Sequence, residues 1–209
     1  MTTLLHISAS PRGEQSESLA LAREFLDTLR QVHPEIEVVE WDLWDGTLPD
    51  FGPHSTAAKM AVFAGQEPAG EAGRAWSETK RAFERFSSAD IYLFSVPMWN
   101  HGIPYILKQL IDVVSQPGLV FAFDPVHGYT GLLAGKRAVV IYTSAVYGEG
   151  MGPEFGFDAQ QPYFEGWLRW AGIDDIQSVE FRPTFGPGVE ERRLAAQAAA
   201  NDAAKTLVP

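Results

Sequence analysis

Short runs of consecutive apolar residues alternate along this chain with longer stretches in which apolar residues return every three or four positions. Leu4-Leu5-His6-Ile7-Ser8 reads as a strand, and Leu19, Ala22, Leu26 and Leu29 then mark the buried stripe of a helix. Ile36 to Trp41 alternates well enough for a second strand, and the segment Asp42 to Pro53, rich in Asp, Gly, Pro and Trp, reads as a loop. Helical spacing resumes over 57–63, breaks over 65–73 and returns over 74–86. Ile91-Tyr92-Leu93-Phe94-Ser95-Val96 has the β-branched and aromatic composition of a strand buried on both faces. Behind Pro104, the spacing of Ile103, Leu107, Leu110 and Val114 predicts a helix, since proline is tolerated in a first turn. Phe121 and Phe123 fall in a stretch that its Pro and Gly residues mark as irregular. A fourth strand follows over 137–142, a loop over 145–157, and a helix carrying Tyr163, Trp167 and Trp170. The fifth strand is expected over 175–183 and a last, Ala-rich helix over 190–207.

Five strands alternating with helices predict an α/β fold: a parallel sheet in the order 2-1-3-4-5, covered by helices on both faces in a three-layer sandwich. No linker divides the chain, so a single domain is expected over 1–209.

With 209 residues, 45% of them hydrophobic, there is ample material for a core. The formal net charge of −11 argues against a nucleic-acid partner, which needs clustered Lys and Arg, and against docking to an anionic membrane. A small anion stays compatible, because helix N-termini hold phosphate without net positive charge. The absence of cysteine removes disulfides, thiol nucleophiles and iron–sulfur clusters. The first residues lack the basic and apolar regions of a secretory signal, and no apolar run approaches the roughly twenty residues that span a bilayer. A cytoplasmic protein is therefore expected. The five histidines show no metal-ligand spacing, and no G-x-S-x-G nucleophile elbow occurs.

Two loops carry candidate chemistry, and both follow strands whose carboxyl ends meet where the order 2-1-3 reverses. After the first strand, Ser10-Pro11-Arg12-Gly13-Glu14-Gln15-Ser16-Glu17-Ser18 surrounds a helix start with hydroxyls and amides. It is neither a G-x-G-x-x-G fingerprint nor a P-loop, so a single phosphate fits better than a pyrophosphate. The plain alternative is that Ser16 or Ser18 only caps the helix. After the third strand, Pro97-Met98-Trp99-Asn100-His101-Gly102-Ile103-Pro104 offers a flat apolar surface in Trp99 and both donor and acceptor in Asn100. There the alternative is a Gly/Pro turn whose Trp belongs to the core.

With both loops in view, the chain resembles the FMN-dependent NADH:quinone oxidoreductases, or azoreductases, of the flavodoxin-like fold. Ser10 to Ser18 matches that family's S-x5-S-x-S loop, and Pro97-Met98-Trp99-Asn100 matches its P-M-[WY]-N turn, followed by G-I-P and Leu107-Lys108. Gly135-Lys136-Arg137 is similar to its Gly-Lys-Lys. The resemblance implies that Ser10, Ser16, Glu17 and Ser18 hold the FMN phosphate and that Met98, Trp99, Asn100 and His101 line the isoalloxazine. Thr143, Ser144 and Ala145 would meet its pyrimidine edge, although Ser144 and Ala145 stand where many members have glycines. Asn100 would stabilise charge on the reduced ring, and His101 would either donate a proton or simply provide an edge.

The implied activity is a two-electron ping-pong reaction: NADH or NADPH delivers hydride, and a quinone or azo compound then accepts the electrons. A homodimer with sites at its interface is implied as well, with Phe121, Phe123, Tyr129 and Phe157 as pocket aromatics, some lent by the partner. Two rivals share the sheet order. A flavodoxin-type electron carrier would suit the acidity, but such carriers present a Thr-rich phosphate loop where this chain has Ser-Pro-Arg-Gly. A phosphoacceptor receiver domain would need acidic residues where Ser10 and Pro97 stand.

Overall fold

Five of the apolar runs pair into one parallel sheet in the computed structural model, which describes residues 2–207. The elements, in chain order, are β1 (Thr3–Ser8), α1 (Glu17–Val32), β2 (Glu37–Asp42), α2 (Pro53–Phe63), α3 (Gly70–Ser87), β3 (Ile91–Pro97) and α4 (Tyr105–Val114). They continue with β4 (Phe121–Asp124), β5 (Gly128–Gly131), β6 (Arg137–Thr143), α5 (Gln161–Trp170), β7 (Asp175–Phe181) and α6 (Val189–Lys205). The sheet runs β2-β1-β3-β6-β7 with every neighbouring pair parallel. This is the expected spatial order; the fourth and fifth sheet strands are the sixth and seventh of the chain because a hairpin intervenes. The domain expected over 1–209 extends at both ends past the described residues.

That hairpin corrects one expectation. Residues 121–131 are not irregular: β4 and β5 pair antiparallel, with Phe121 opposite Gly131 and Phe123 opposite Tyr129. The flanking Pro and Gly residues hid the alternation, and the Asp124 carboxylate closes the turn by accepting from the N–H groups of Val126 and His127 at 2.8 and 2.7 Å. Three boundaries move as well. α2 begins earlier than its apolar spacing suggests because Pro53 opens its first turn. α3 takes in Gly70–Gly73, placed in a break by their glycines. Pro104 has ψ 143°, outside the helical range, so α4 starts at Tyr105 and Ile103 packs on the core from the preceding loop.

Strand alternation sorts the core into two layers. Leu5, Ile7, Phe94, Val140 and Tyr142 face α3, α4 and α5, where Phe164 meets Phe94 edge-on at 4.9 Å. Leu4, Leu93, Val139 and Ile141 face α1 and α6. On that side Ala196, Ala200, Ala203 and Ala204 let α6 lie close against Leu21, Phe25 and Leu29 of α1. The strands β1, β3 and β6 thus end side by side at one edge, and the three loops leaving them form the site.

Candidate functional site

The chain leaves β1 at Ser8 and turns through Ser10 and a short 3-10 segment before α1 begins. Ser16 caps that helix: its Oγ accepts the N–H of Leu19 at 3.3 Å, and its carbonyl accepts from Ala20. The next two N–H groups, of Glu17 and Ser18, find no acceptor among the described residues, as is usual in a first helical turn. Ser18 is fully buried behind Ser16, the two hydroxyls 3.1 Å apart.

An uncommon device supports this loop from below. On β1, His6 is buried against Ser95 of β3, with Nε2 2.9 Å from Ser95 Oγ, which itself donates to the Ser18 carbonyl at 3.4 Å. The three groups form a chain from His6 through Ser95 to the Ser18 carbonyl, with the shorter contact at the histidine. Burial pushes the imidazole pKa down from 6.5 to about 4.

The loop after β3 folds into a two-residue hairpin: Trp99 and Gly102 exchange both backbone hydrogen bonds, at 2.9 and 3.0 Å. Asn100 and His101 occupy its centre with φ of 49° and 68°, the positive values that a type I′ turn demands. Asn and His are among the few L-residues that tolerate them. The Asn100 carboxamide makes no hydrogen bond among the described residues and is exposed, and Trp99 is 45% exposed. Behind Trp99, the Met98 N–H donates to the carbonyl of Thr143 at 2.7 Å, tying this loop to the end of β6.

Two adjoining cavities share Trp99. One, of about 330 Å³, is bounded by Ser10, Arg12, Ser16 and Glu17 on the β1 side and by Met98, Thr143, Ser144 and Ala145 opposite. The other, of about 580 Å³, is an apolar cleft between Trp44, Trp99, Asn100, Ile103, Tyr105 and Tyr163, with Lys108 at its wall. Eight of the eleven residues singled out from the sequence therefore line the first cavity, and Asn100 lines the second, on the other side of Trp99. Ser18 lies one layer behind, and His101 is apart: its ring stacks on Phe157 at 4.6 Å, and its carbonyl accepts from Ala159.

The Glu17 carboxylate is held by Arg193 of α6 at 2.6 and 3.0 Å and would repel a phosphate, so the group that Glu17 offers an anion is its N–H. Of the pocket aromatics, Phe121 is buried among Tyr129 and Trp170, Phe123 and Tyr129 are exposed on the hairpin, and none of the four lines either cavity. Residues the sequence did not single out are Arg12, whose guanidinium has no acidic partner among the described residues, and Thr184. Arg12 was legible, inside the quoted loop, had the charge of a phosphate been set against that of Glu17.

Ser144 does not need the freedom of a glycine. Its φ is not positive, its carbonyl accepts from Thr184 at 2.8 Å, and its hydroxyl accepts the N–H of Tyr147 at 3.1 Å, so a serine fixes the loop by itself. Gly156 is less replaceable, with φ 101° and with a Cβ there falling 2.5 Å from the His101 ring. Gly156→Ala is expected to lower stability by about 1–2 kcal/mol, measured by urea unfolding.

A parallel sheet with helices on both faces and a built, half-apolar opening across the ends of β1, β3 and β6 defines a nucleotide- or cofactor-binding α/β protein of doubly wound type. The chain belongs to the flavodoxin-like fold family, whose profile matches residues 2–207. It is 46% identical over 187 residues to an FMN-dependent NADH:quinone oxidoreductase of Ruegeria pomeroyi, covering 88% of this chain and 91% of that protein. With FMN-dependent NADH:quinone oxidoreductase 2 of Pseudomonas syringae pv. tomato it shares 42% over 211 residues and 99% of both chains. Among solved structures, an azoreductase from Bacillus anthracis strain Sterne superposes with a TM-score of 0.88 at 26% identity, covering 98% and 99% of the two chains. Among the described residues no helix is long and apolar enough to cross a membrane, and no cluster of His, Asp and Glu is placed to hold a metal.

Proposed function

We propose that this chain is an FMN-dependent oxidoreductase that takes hydride from NADH or NADPH and reduces quinones or azo compounds. The observation that carries the reading is an anion cradle whose far wall is formed by Met98, Trp99 and Thr143–Ala145, with an apolar aromatic cleft on the other side of Trp99, which suits a phosphate tethered to a planar ring and a flat acceptor next to it. The residues fit that cofactor. The N–H groups of Glu17 and Ser18, the Ser10 and Ser16 hydroxyls and the Arg12 guanidinium would hold the phosphate, with the α1 dipole adding to their charge. Met98 and Trp99, with Asn100 from the adjoining cleft, would bind the ring on one side and Thr143, Ser144 and Ala145 on another, and Ser18 supports the cradle through Ser16.

The chemistry that FMN supplies when bound is two-electron transfer from a nicotinamide to an acceptor. The chain orients and excludes: Trp99, Trp44 and Tyr163 would give a flat acceptor apolar walls, and the Asn100 amide, without a hydrogen-bond partner among the described residues, would supply donors for negative charge on the ring. His101, stacked on Phe157, serves as a structural edge rather than a proton donor in this reading. The whole chain acts as one FMN-binding unit in the cytoplasm, with neither membrane nor nucleic acid as partner. The exposed Phe63, Phe123, Val126 and Tyr129, gathered on α2 and the β4–β5 hairpin, suit a homodimer interface, through which Phe123 or Tyr129 would reach a second copy's site.

The test is steady-state oxidation of NADH by the purified flavin-loaded protein with a quinone as the sole acceptor. An enzyme turns over without help, whereas a carrier of the flavodoxin type needs a second protein. Asn100→Ala is expected to lower turnover by about tenfold or more while flavin is largely retained; unchanged quinone reduction would contradict the role given to Asn100.

A further inference from the structure

Among the described residues, one heavily partnered buried charge lies outside both cavities. The side chain of Arg182, just past β7, is only 4% exposed. Its Nη1 donates to Asp158 Oδ2 at 2.7 Å, Nη2 to Gln161 Oε1 at 2.6 Å and to Glu180 at 2.5 Å, and Nε to Glu180 at 3.2 Å. The guanidinium also lies over the rings of Tyr142 and Tyr147, 5.5 and 5.8 Å from their centroids. Burial opposes its charge, and the two carboxylates more than offset that.

These contacts lead to both loops that flank the proposed ring site. Tyr147 belongs to the loop after β6, and its N–H donates to Ser144. Asp158 organises the segment before α5, its other oxygen accepting the N–H groups of Gln160 and Gln161 at 2.8 and 3.0 Å. That segment buttresses the hairpin after β3: Ala159 N–H donates to the His101 carbonyl, Phe157 stacks on the His101 ring, and the buried Gln160 amide donates to Val96 of β3 at 2.8 Å. A turn with two non-glycine residues at positive φ needs such outside support.

We propose that Arg182 is a positioning residue, whose buried guanidinium holds the loop after β6 and, through Asp158, the Asn100–His101 turn in fixed register across the mouth of the site. The inference rests on the flavin reading above. A planar five-donor fork meets Asp158, Gln161 and Glu180 together, which the point charge of a lysine does not. Arg182→Lys therefore retains the charge and loses the register.

The test uses the full chain freed of flavin, titrated with FMN and with riboflavin under conditions where it is fully folded. Arg182→Lys and Asp158→Asn are each expected to weaken both ligands about tenfold, and by the same factor for each, since the ring site and not the phosphate cradle is disturbed. The double variant is expected to lose clearly less than the product of the two single losses, because the two share the Arg182–Asp158 contact while Arg182 also reaches Tyr147 by itself. Should Arg182→Lys fail to fold, Asp158→Asn carries the same test alone. Unchanged dissociation constants in the folded variants, or losses that add in full, would overturn the proposal while leaving the flavin reading intact. A wild-type chain that binds neither ligand would remove both.

Discussion

Ser16→Asp leaves the flavin-free protein folded, at a cost of about 1–3 kcal/mol for a charge beside the buried Ser18, and abolishes FMN binding for practical purposes, weakening it on the order of 100-fold or more. Aspartate caps a helix as well as serine does, so the N–H of Leu19 keeps its acceptor and α1 keeps its start. The same carboxylate places a negative charge at the wall of the cavity, beside Ser10 and Arg12. A phosphate there loses a charge-assisted hydrogen bond of roughly 1.5–3 kcal/mol and meets a like charge in partly desolvated surroundings. Were Ser16 only a cap, FMN binding would be untouched. Urea unfolding of the flavin-free chain and fluorescence titration with FMN, run side by side, separate the two.

Stability is expected to fall by about 3 kcal/mol as the pH drops from 6.5 to 4, with His6 as the main source. Folding lowers the His6 pKa from 6.5 to about 4, so between these values the unfolded chain binds a proton that the native one refuses. Stability rises with pH wherever the unfolded state holds more protons, so the contribution is complete above 6.5 and is lost as the pH falls. The underlying pair is His6 with Ser95, and Ser95 holds the Ser18 carbonyl beneath the phosphate cradle. Because the native ring stays neutral down to about pH 4, the folded cradle is expected to keep its flavin over this range and to release it only as the pH falls through about 4. Urea midpoints at pH 7 and pH 4.5, for wild type and His6→Gln, check this; the glutamine variant should show a clearly flatter dependence, and equal slopes would assign the effect elsewhere.

The sheet was legible from short range because its central strands β1, β3 and β6, buried on both faces, are largely apolar runs, and its edge strands alternate, all set between amphipathic helices. Nothing comparable marked the β4–β5 hairpin, a four-residue ribbon whose alternation of Phe121 and Phe123 is interrupted by glycine and proline. In the site, the two signature loops named residues that do converge, because the first and third strands are neighbours in the sheet. The side chains whose direction the sequence left open have partners far away in the chain. Glu17 is drawn to Arg193, 176 positions on, and His101 is drawn to a segment more than fifty residues later. Arg182 was silent for the same reason: between Glu180 and Pro183 it reads as an ordinary strand end, and only the fold brings Asp158 and Tyr147 to it.

A cofactor seated between the ends of β1, β3 and β6 can be tested without any assay of turnover. Fluorescence titration of the flavin-free chain with FMN should show quenching that saturates at one flavin per chain, with riboflavin bound markedly more weakly because the phosphate cradle is left empty. FMN fluorescence that is indifferent to the protein, or FMN and riboflavin bound equally well, would contradict the site described.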